Sequence, residues 1–166
     1  MNWAIEHPYL RNMDLNTYFS DEALARFVQA QGRTVEKVVC HLWQNTIAKG
    51  ATVELIDNVE LYFADKQKLT ISCNTTGEAL DAIVFDYPKA AKELEKEFEG
   101  KIRLYAINAS ETEMWTEVIG QTLQQVKIVK EGEYHKAGSL LLEFDKEKRI
   151  VSISPLDGLV IDYYEE

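Results

Sequence analysis

The chain has 166 residues, 46% of them hydrophobic and 28% charged, ordinary values for a globular protein that can bury its own core. Its 18 Lys and Arg stand against 28 Asp and Glu, and the formal charge of -10 argues against non-specific nucleic-acid binding, which needs cations to neutralise phosphates. No apolar run approaches the roughly 20 residues of a membrane-spanning helix.

Residues 1–10 lack the basic and apolar regions of a secretory signal. The two cysteines, Cys40 and Cys73, sit in apolar, strand-like stretches. Two buried thiols in a reducing, cytoplasmic setting are therefore expected. The acidity is even, at -5 for residues 1–87 and -5 for residues 88–166. No acidic tail or basic arm stands apart.

Residues 1–19 hold Trp3, Tyr9, Leu10, Met13, Tyr18 and Phe19, a load that predicts packing on the body of the protein. Ser20-Asp-Glu opens a helix with Leu24, Phe27 and Val28 on one side, closed by Gly32. The spacing of Val35, Val38, Val39 and Leu42 fits a helix, and that of Val38, Cys40 and Leu42 a strand. Strand is preferred because the later stretch Val126-Lys-Ile-Val129 is β-branched. Val59, Leu61 and Phe63 alternate, and Leu69 and Ile71 follow the polar turn Asp65–Lys68. Pro88 to Gly100 reads as a solvated linking helix, 88–99, with a narrow stripe of Ala91, Leu94 and Phe98. Lys101–Ile107 reads as an extra strand. Ser110 and Glu113 have capping-box spacing and predict a second helix with Met114 and Val118, closed by Gly120. Leu140, Leu142 and Phe144 alternate, a turn follows at Asp145–Arg149, and Pro155-Leu-Asp-Gly158 suits a hairpin between the last two strands.

The chain also echoes itself. Gly32-Arg-Thr-Val-Glu-Lys-Val38 parallels Gly120-Gln-Thr-Leu-Gln-Gln-Val126, and Leu61-Tyr-Phe63 parallels Leu142-Glu-Phe144. Asp65–Lys68 parallels Asp145–Lys148, Leu69–Ser72 parallels Val151–Ser154, and Ile83–Tyr87 parallels Leu159–Tyr163. The expected fold is α+β: two tandem helix–β-meander repeat units, mostly antiparallel, over approximately 20–87 and 110–164. The linking helix joins them into a single compact domain, 1–166. This succession of blocks resembles small bacterial proteins, among them some immunity proteins of toxin systems. The resemblance implies a non-enzymatic protein that binds another protein, and it carries over no site residue.

No phosphate-binding loop, nucleophile elbow, zinc motif or C-x-x-C is present. His7, His41 and His135 are scattered, and Cys40 and His41, adjacent on a strand, face opposite sides. No metal site and no cofactor is expected. A Cys–His pair could draw Cys40 or Cys73 with His7 or His135, but nothing local activates either thiol. Asp86 and Asp162 occupy equivalent places in the repeat, each before a Tyr. As pseudo-symmetric carboxylates they could do acid–base work or bind a cation. The structural alternative, strand-end and cap residues, is preferred, and no catalytic residue is assigned. Asp65 and Asp145 read as turn formers.

The first unit has the longer loops, at residues 44–52 and 73–82, and such additions are plausible recognition elements. Trp43, Asn45, Asn74, Glu78, Asp81 and Tyr87 are the candidate partner-binding residues, Trp and Tyr being common interface anchors. The resulting expectation is a small acidic cytoplasmic protein that binds a protein partner, a basic one if charge directs it. It touches neither nucleic acid nor membrane, and exposed β edges leave room for a homo-oligomer. The alternative is a small-ligand binder with a pocket between the two units.

Overall fold

The computed structural model describes residues 17–48, 50–74, 77–154 and 157–164. After helix α1 (Asp21–Ala30) come four antiparallel strands, β1 (Val35–Asn45), β2 (Val53–Phe63), β3 (Lys68–Cys73) and β4 (Leu80–Ile83). Helix α2 (Tyr87–Glu97) then leads into β5 (Ile102–Asn108), which pairs with the far edge of β1. A second meander follows: β6 (Leu123–Lys127), β9 (Ser139–Phe144), β10 (Lys148–Ser154) and β11 (Gly158–Tyr163). A small hairpin, β7 (Lys130–Glu131) and β8 (Tyr134–His135), interrupts it between β6 and β9.

The chain reads where local signals are strong. Ser20 caps α1, its Oγ accepting the Ala23 N–H at 3.1 Å, and Gly32 takes the left-handed conformation just beyond the helix. α1 buries Ala23, Phe27 and Ala30 over β3, β4 and β6. Val38, Val59, Leu61, Leu69 and Ile71 form the inner face of the first strands, and Leu140, Leu142 and Val151 that of the later ones. α2 has no buried residue, and Asp86 caps it through the Lys89 N–H at 3.2 Å.

Two repeat units are not what these strands build. Nine of them form one curled, almost wholly antiparallel sheet, a half-barrel, and the protein is mostly β with two short helices among the described residues. Both meanders meet on β2: one edge holds β1, and the other holds β3 at residues 58–62 and β11, in parallel, at Ile56. The curl brings Thr34 against Thr122 in an isolated antiparallel bridge, with their hydroxyls 3.2 Å apart.

The helix expected at 110–119 is a run of turns. Ser110, instead of capping it, uses its Oγ to accept the Val38 N–H at 3.0 Å, and the Met114 carbonyl accepts Arg149 Nε at 2.8 Å. Trp115 and Val118 are buried in the core. Nor are the last blocks equivalent. Ile83 ends β4 and Asp86 caps α2, whereas Asp162 lies within β11 opposite Ile150, so the two carboxylates hold different places. The link between the first two strands of each half is also the reverse of expectation. It is residues 46–52 in the first half and residues 128–138, with its own hairpin, in the second. Among the described helices none is long and apolar enough to cross a membrane. Of the early aromatics, Phe19 is buried with its ring edge-on to Phe27 at 5.2 Å. Trp3, His7, Tyr9, Leu10 and Met13 lie outside the described residues.

Gly158 marks the contact on which the meanders meet. Its φ is +71°, and a Cβ there would stand 2.7 Å from the Ile56 carbonyl oxygen and 2.8 Å from Leu55 Cδ1. Gly158→Ala should lower the unfolding free energy in urea by about 3 kcal/mol. Gly132→Ala, at φ +62° with nothing within 4 Å, should lose only about 1 kcal/mol for its backbone strain. Equal losses would show that Gly158 serves its own turn and not the β2–β11 contact.

Candidate functional site

The outer face of the first strands is polar where a buried face is ordinarily apolar. His41, Asn58, Glu60, Thr70 and Ser72 are all buried. Cross-strand register places them: His41 lies opposite Asn58 and Asn58 opposite Ser72, while Glu60 lies opposite Thr70 and Tyr62 opposite Lys68. Ala106 of β5 flanks His41 on its other side. The segment from Phe85 to Pro88 overhangs this face, leaving a cleft of about 470 Å³ open to solvent.

A carboxylate only 1% exposed needs partners, because an unpaired buried charge is strongly disfavoured. Glu60 has three: Lys68 Nζ at 2.8 Å, Thr70 Oγ1 at 2.7 Å and Tyr62 Oη at 3.2 Å. Lys68 also gives a hydrogen bond to the Phe85 carbonyl at 3.1 Å, which ties the overhanging segment to the sheet. Burial works to lower the Lys68 pKa, but the Glu60 carboxylate overrides it and holds the ammonium above its ordinary value. Burial and then the Glu60 charge push the Tyr62 hydroxyl upward.

His41 is 2% exposed and its ring lies 4.7 Å from that of Tyr87 and 4.9 Å from that of Phe85. Its Nδ1 is 2.7 Å from Asn58 Oδ1 and 3.5 Å from Glu60 Oε1. Asn58 Nδ2 donates to Asp57 Oδ2 at 2.9 Å, so Oδ1 is the acceptor and Nδ1 of His41 the donor. The register shifts between His41 and Leu42, where Asp57 is the extra residue of β2. Such bulges re-aim neighbouring side chains. Among the described residues Nε2 of His41 meets no hydrogen-bond partner, and His41 is part of the lining of the cleft.

Two of the candidate residues reach this place. Tyr87 begins α2, packs on His41 and donates to the Leu104 carbonyl at 3.3 Å. Asp86 lines the cleft. Trp43, half-buried, lies two residues beyond His41 on the same face, opposite Leu104, and Asn45 Oδ1 holds the Ile47 N–H at 2.9 Å. Asn74 follows the other end of β3 from Lys68 and holds the Glu78 N–H at 3.2 Å. Asp81 lies opposite Ser72, its carboxyl pushed upward by burial. β11 occupies the edge of β2 at Ile56, between the β3–β4 loop and the β1–β2 end. Asp162 is exposed on β11. Cys40 lies on the inner face, and burial pushes its thiol up to about 11. Cys73 is half-buried, and both cysteines are free. Among the described residues no group of three His, Cys, Asp or Glu side chains could hold a metal ion.

Sequence reasoning passed over Glu60, Tyr62 and Lys68 and weighed His41 only as a zinc ligand. The missed signal was the polar phase of the alternation. Asn58, Glu60 and Tyr62 occupy every second place of β2, and Lys68, Thr70 and Ser72 do so on β3. Pairing across the Asp65–Gln67 turn stacks these two polar rows. Compared with known protein families, curated proteins and solved structures, the chain matches none.

Removing the charge of Glu60 tests how this face is held. Glu60→Gln turns one carboxylate oxygen into a donor that faces another donor, and leaves Lys68 without its counter-ion. The expected loss is about 2 kcal/mol by urea unfolding, since Lys68 can still swing to solvent. An unchanged midpoint would show that the Glu60 charge does not hold the cluster.

Proposed function

We propose that this chain is a non-enzymatic protein-binding module, of the immunity or regulatory kind, whose partner is a basic protein. One observation carries this reading: the His41 cleft is open and walled by Tyr62, Phe85 and Tyr87, and Val84, one residue before Phe85 and 83% exposed, lines the neighbouring cleft between α1 and β3. Aromatic anchors beside an exposed aliphatic are the anatomy of an interface centre. The formal charge of -10 supplies the long-range attraction for a basic partner. The polar atoms beneath the cleft are hydrogen-bonded to one another, which suits a rigid platform better than a reacting centre. The reading takes the protein to be cytoplasmic, which the unbridged Cys40 and Cys73 support.

A second reading, small-ligand binding, is favoured by a different place. A cleft of about 560 Å³ runs between α1 and β6, its apolar lining of Leu24, Phe27, Val28, Val126 and Ile128 joined by Gln31, Gln125, Lys127 and His135. An apolar floor with several polar groups at its margin can take a small ligand.

The experiment is a pull-down from source-cell lysate with two baits, the native protein and Val84→Asp. Val84 is so exposed that the substitution leaves the fold intact. The native bait should capture a basic protein in stoichiometric amount and release it at high salt. The variant should bind it about tenfold more weakly, as expected for loss of an interface anchor. No capture at any salt would overturn the proposal, and native mass spectrometry of the same preparation would then look for a small ligand. Equal capture by both baits would move the interface away from the cleft.

A further inference from the structure

We infer that the cleft between α1 and β3, beside the β2–β3 turn, is a binding site for a small phosphate monoester. This goes beyond the protein-binding reading and stands on other side chains. The cleft holds about 270 Å³. Arg26, Gln29 and Ala30 share one face of α1, and Arg33, seven places after Arg26, continues that face just past the helix. Lys66 and Gln67 of the β2–β3 turn and Lys68 at the start of β3 complete the polar lining near it.

The charges in this lining are all of one sign. Arg26, Arg33, Lys66 and Lys68 line it and none of the described carboxylates does, in a chain whose acids outnumber its bases by 28 to 18. Two of the four are committed. Lys68 is held by Glu60 and the Phe85 carbonyl, while Arg33 pairs with Asp65 and gives Nε to the Gln29 carbonyl at 2.7 Å. The other two are open. Arg26 engages Nη1 with the Ala82 carbonyl at 2.7 Å and keeps Nε and Nη2 without a described partner; Asp81 senses its charge but does not line the cleft. The Lys66 ammonium meets no described partner. Lys66 also stands at φ +73°, so the turn carries a long cation where its backbone favours glycine.

A cleft lined by one sign of charge draws in the opposite ion. A phosphate monoester bears close to two negative charges at neutral pH, which matches the two open cations. Its outer oxygens point in three directions and can take the Arg26 fork and the Lys66 ammonium from different sides. A carboxylate offers one charge and two oxygens in a plane. The cleft is larger than a phosphate group, and Leu69, Ile83 and the exposed Val84 add apolar lining, so the phosphate belongs to a small organic molecule.

The test is an NMR titration of the isotope-labelled full chain with propyl phosphate, with butyrate and inorganic phosphate titrated in parallel at constant ionic strength. Propyl phosphate should shift the Arg26 Nε–H signal and the Lys66 and Gln67 amides with a Kd of about 1 mM. Butyrate, a carboxylate of similar length, should bind at least about fivefold more weakly, and so should inorganic phosphate, which lacks the apolar body. Lys66→Gln removes an exposed ammonium and should weaken propyl phosphate about fivefold, whereas Lys92→Gln, exposed on α2, should leave it unchanged. Arg26→Lys keeps the charge without the fork and should weaken it about threefold. Silence at these signals would overturn the inference, as would butyrate binding as tightly as propyl phosphate or equal losses from Lys66→Gln and Lys92→Gln. Inorganic phosphate binding as tightly would overturn the organic ligand and leave a site for the free ion.

Discussion

Everything in this molecule hangs on the two edges of β2. One edge is taken along its length by β1, and the other is divided between β3 and β11. A single strand thus holds both meanders, and its hydrogen-bonding groups cannot serve one half without constraining the other. The division works because β3 leaves β2 after Asn58, and β11 arrives at Ile56 through a glycine with no Cβ to collide with the backbone it meets. Closure on the far side then needs little. Gly32 N–H reaches the Leu123 carbonyl at 2.7 Å and Gly120 N–H reaches that of Val35 at 2.8 Å, which draws the start of β1 to the start of β6.

The same constraint explains the polar outer face. A strand paired on both edges and curled around a core can still lose its outer face to whatever overhangs it, here the segment that leads into α2. Glu60 is caught in that position. A desolvated carboxylate is tolerated because three donors converge on it, and because two of them, Thr70 and Lys68, come from the neighbouring strand in fixed register. In this way the register of β2 against β3 determines the electrostatics of the cleft. The bulge at Asp57 adds the last element. It sets Asn58 beside His41 while freeing the Asp57 carboxylate to hold the Asn58 amide, and this fixes Nδ1 as the imidazole nitrogen that donates to Asn58.

The strands and the first helix were legible because each depends on neighbours in sequence. Ser20 and Gly32 bracket α1, Val59, Leu61 and Phe63 alternate, and Asp65–Gln67 makes the turn. What was not legible depends on partners far along the chain. The Ser110 pattern predicts a helix only if its hydroxyl stays local, and instead it binds Val38, 72 residues away. The repeated blocks reflect strand chemistry that recurs wherever a polar turn joins two half-buried strands. They do not require two independent units, and the shared sheet shows that they do not build them. The cleft was hidden for a related reason. Periodicity shows which residues share a face of a strand, but not that residues 84–88 would cover that face.

Glu60 and His41 are both buried where the Phe85–Pro88 segment overhangs the sheet, and that burial leaves their side chains little freedom. An exposed acidic surface attracts any cation and discriminates little, because water screens each charge and side chains rearrange at small cost. At the cleft the rearrangement has been done in advance. Glu60 is committed to Lys68, Asn58 to Asp57, and the His41 ring is clamped between its hydrogen bond and the Tyr87 and Phe85 rings. On the proposed binding reading, a group that enters meets side chains already ordered and loses little to their ordering. The overall charge of the chain can speed arrival from any direction, whereas discrimination has to come from a place such as this, where few degrees of freedom remain.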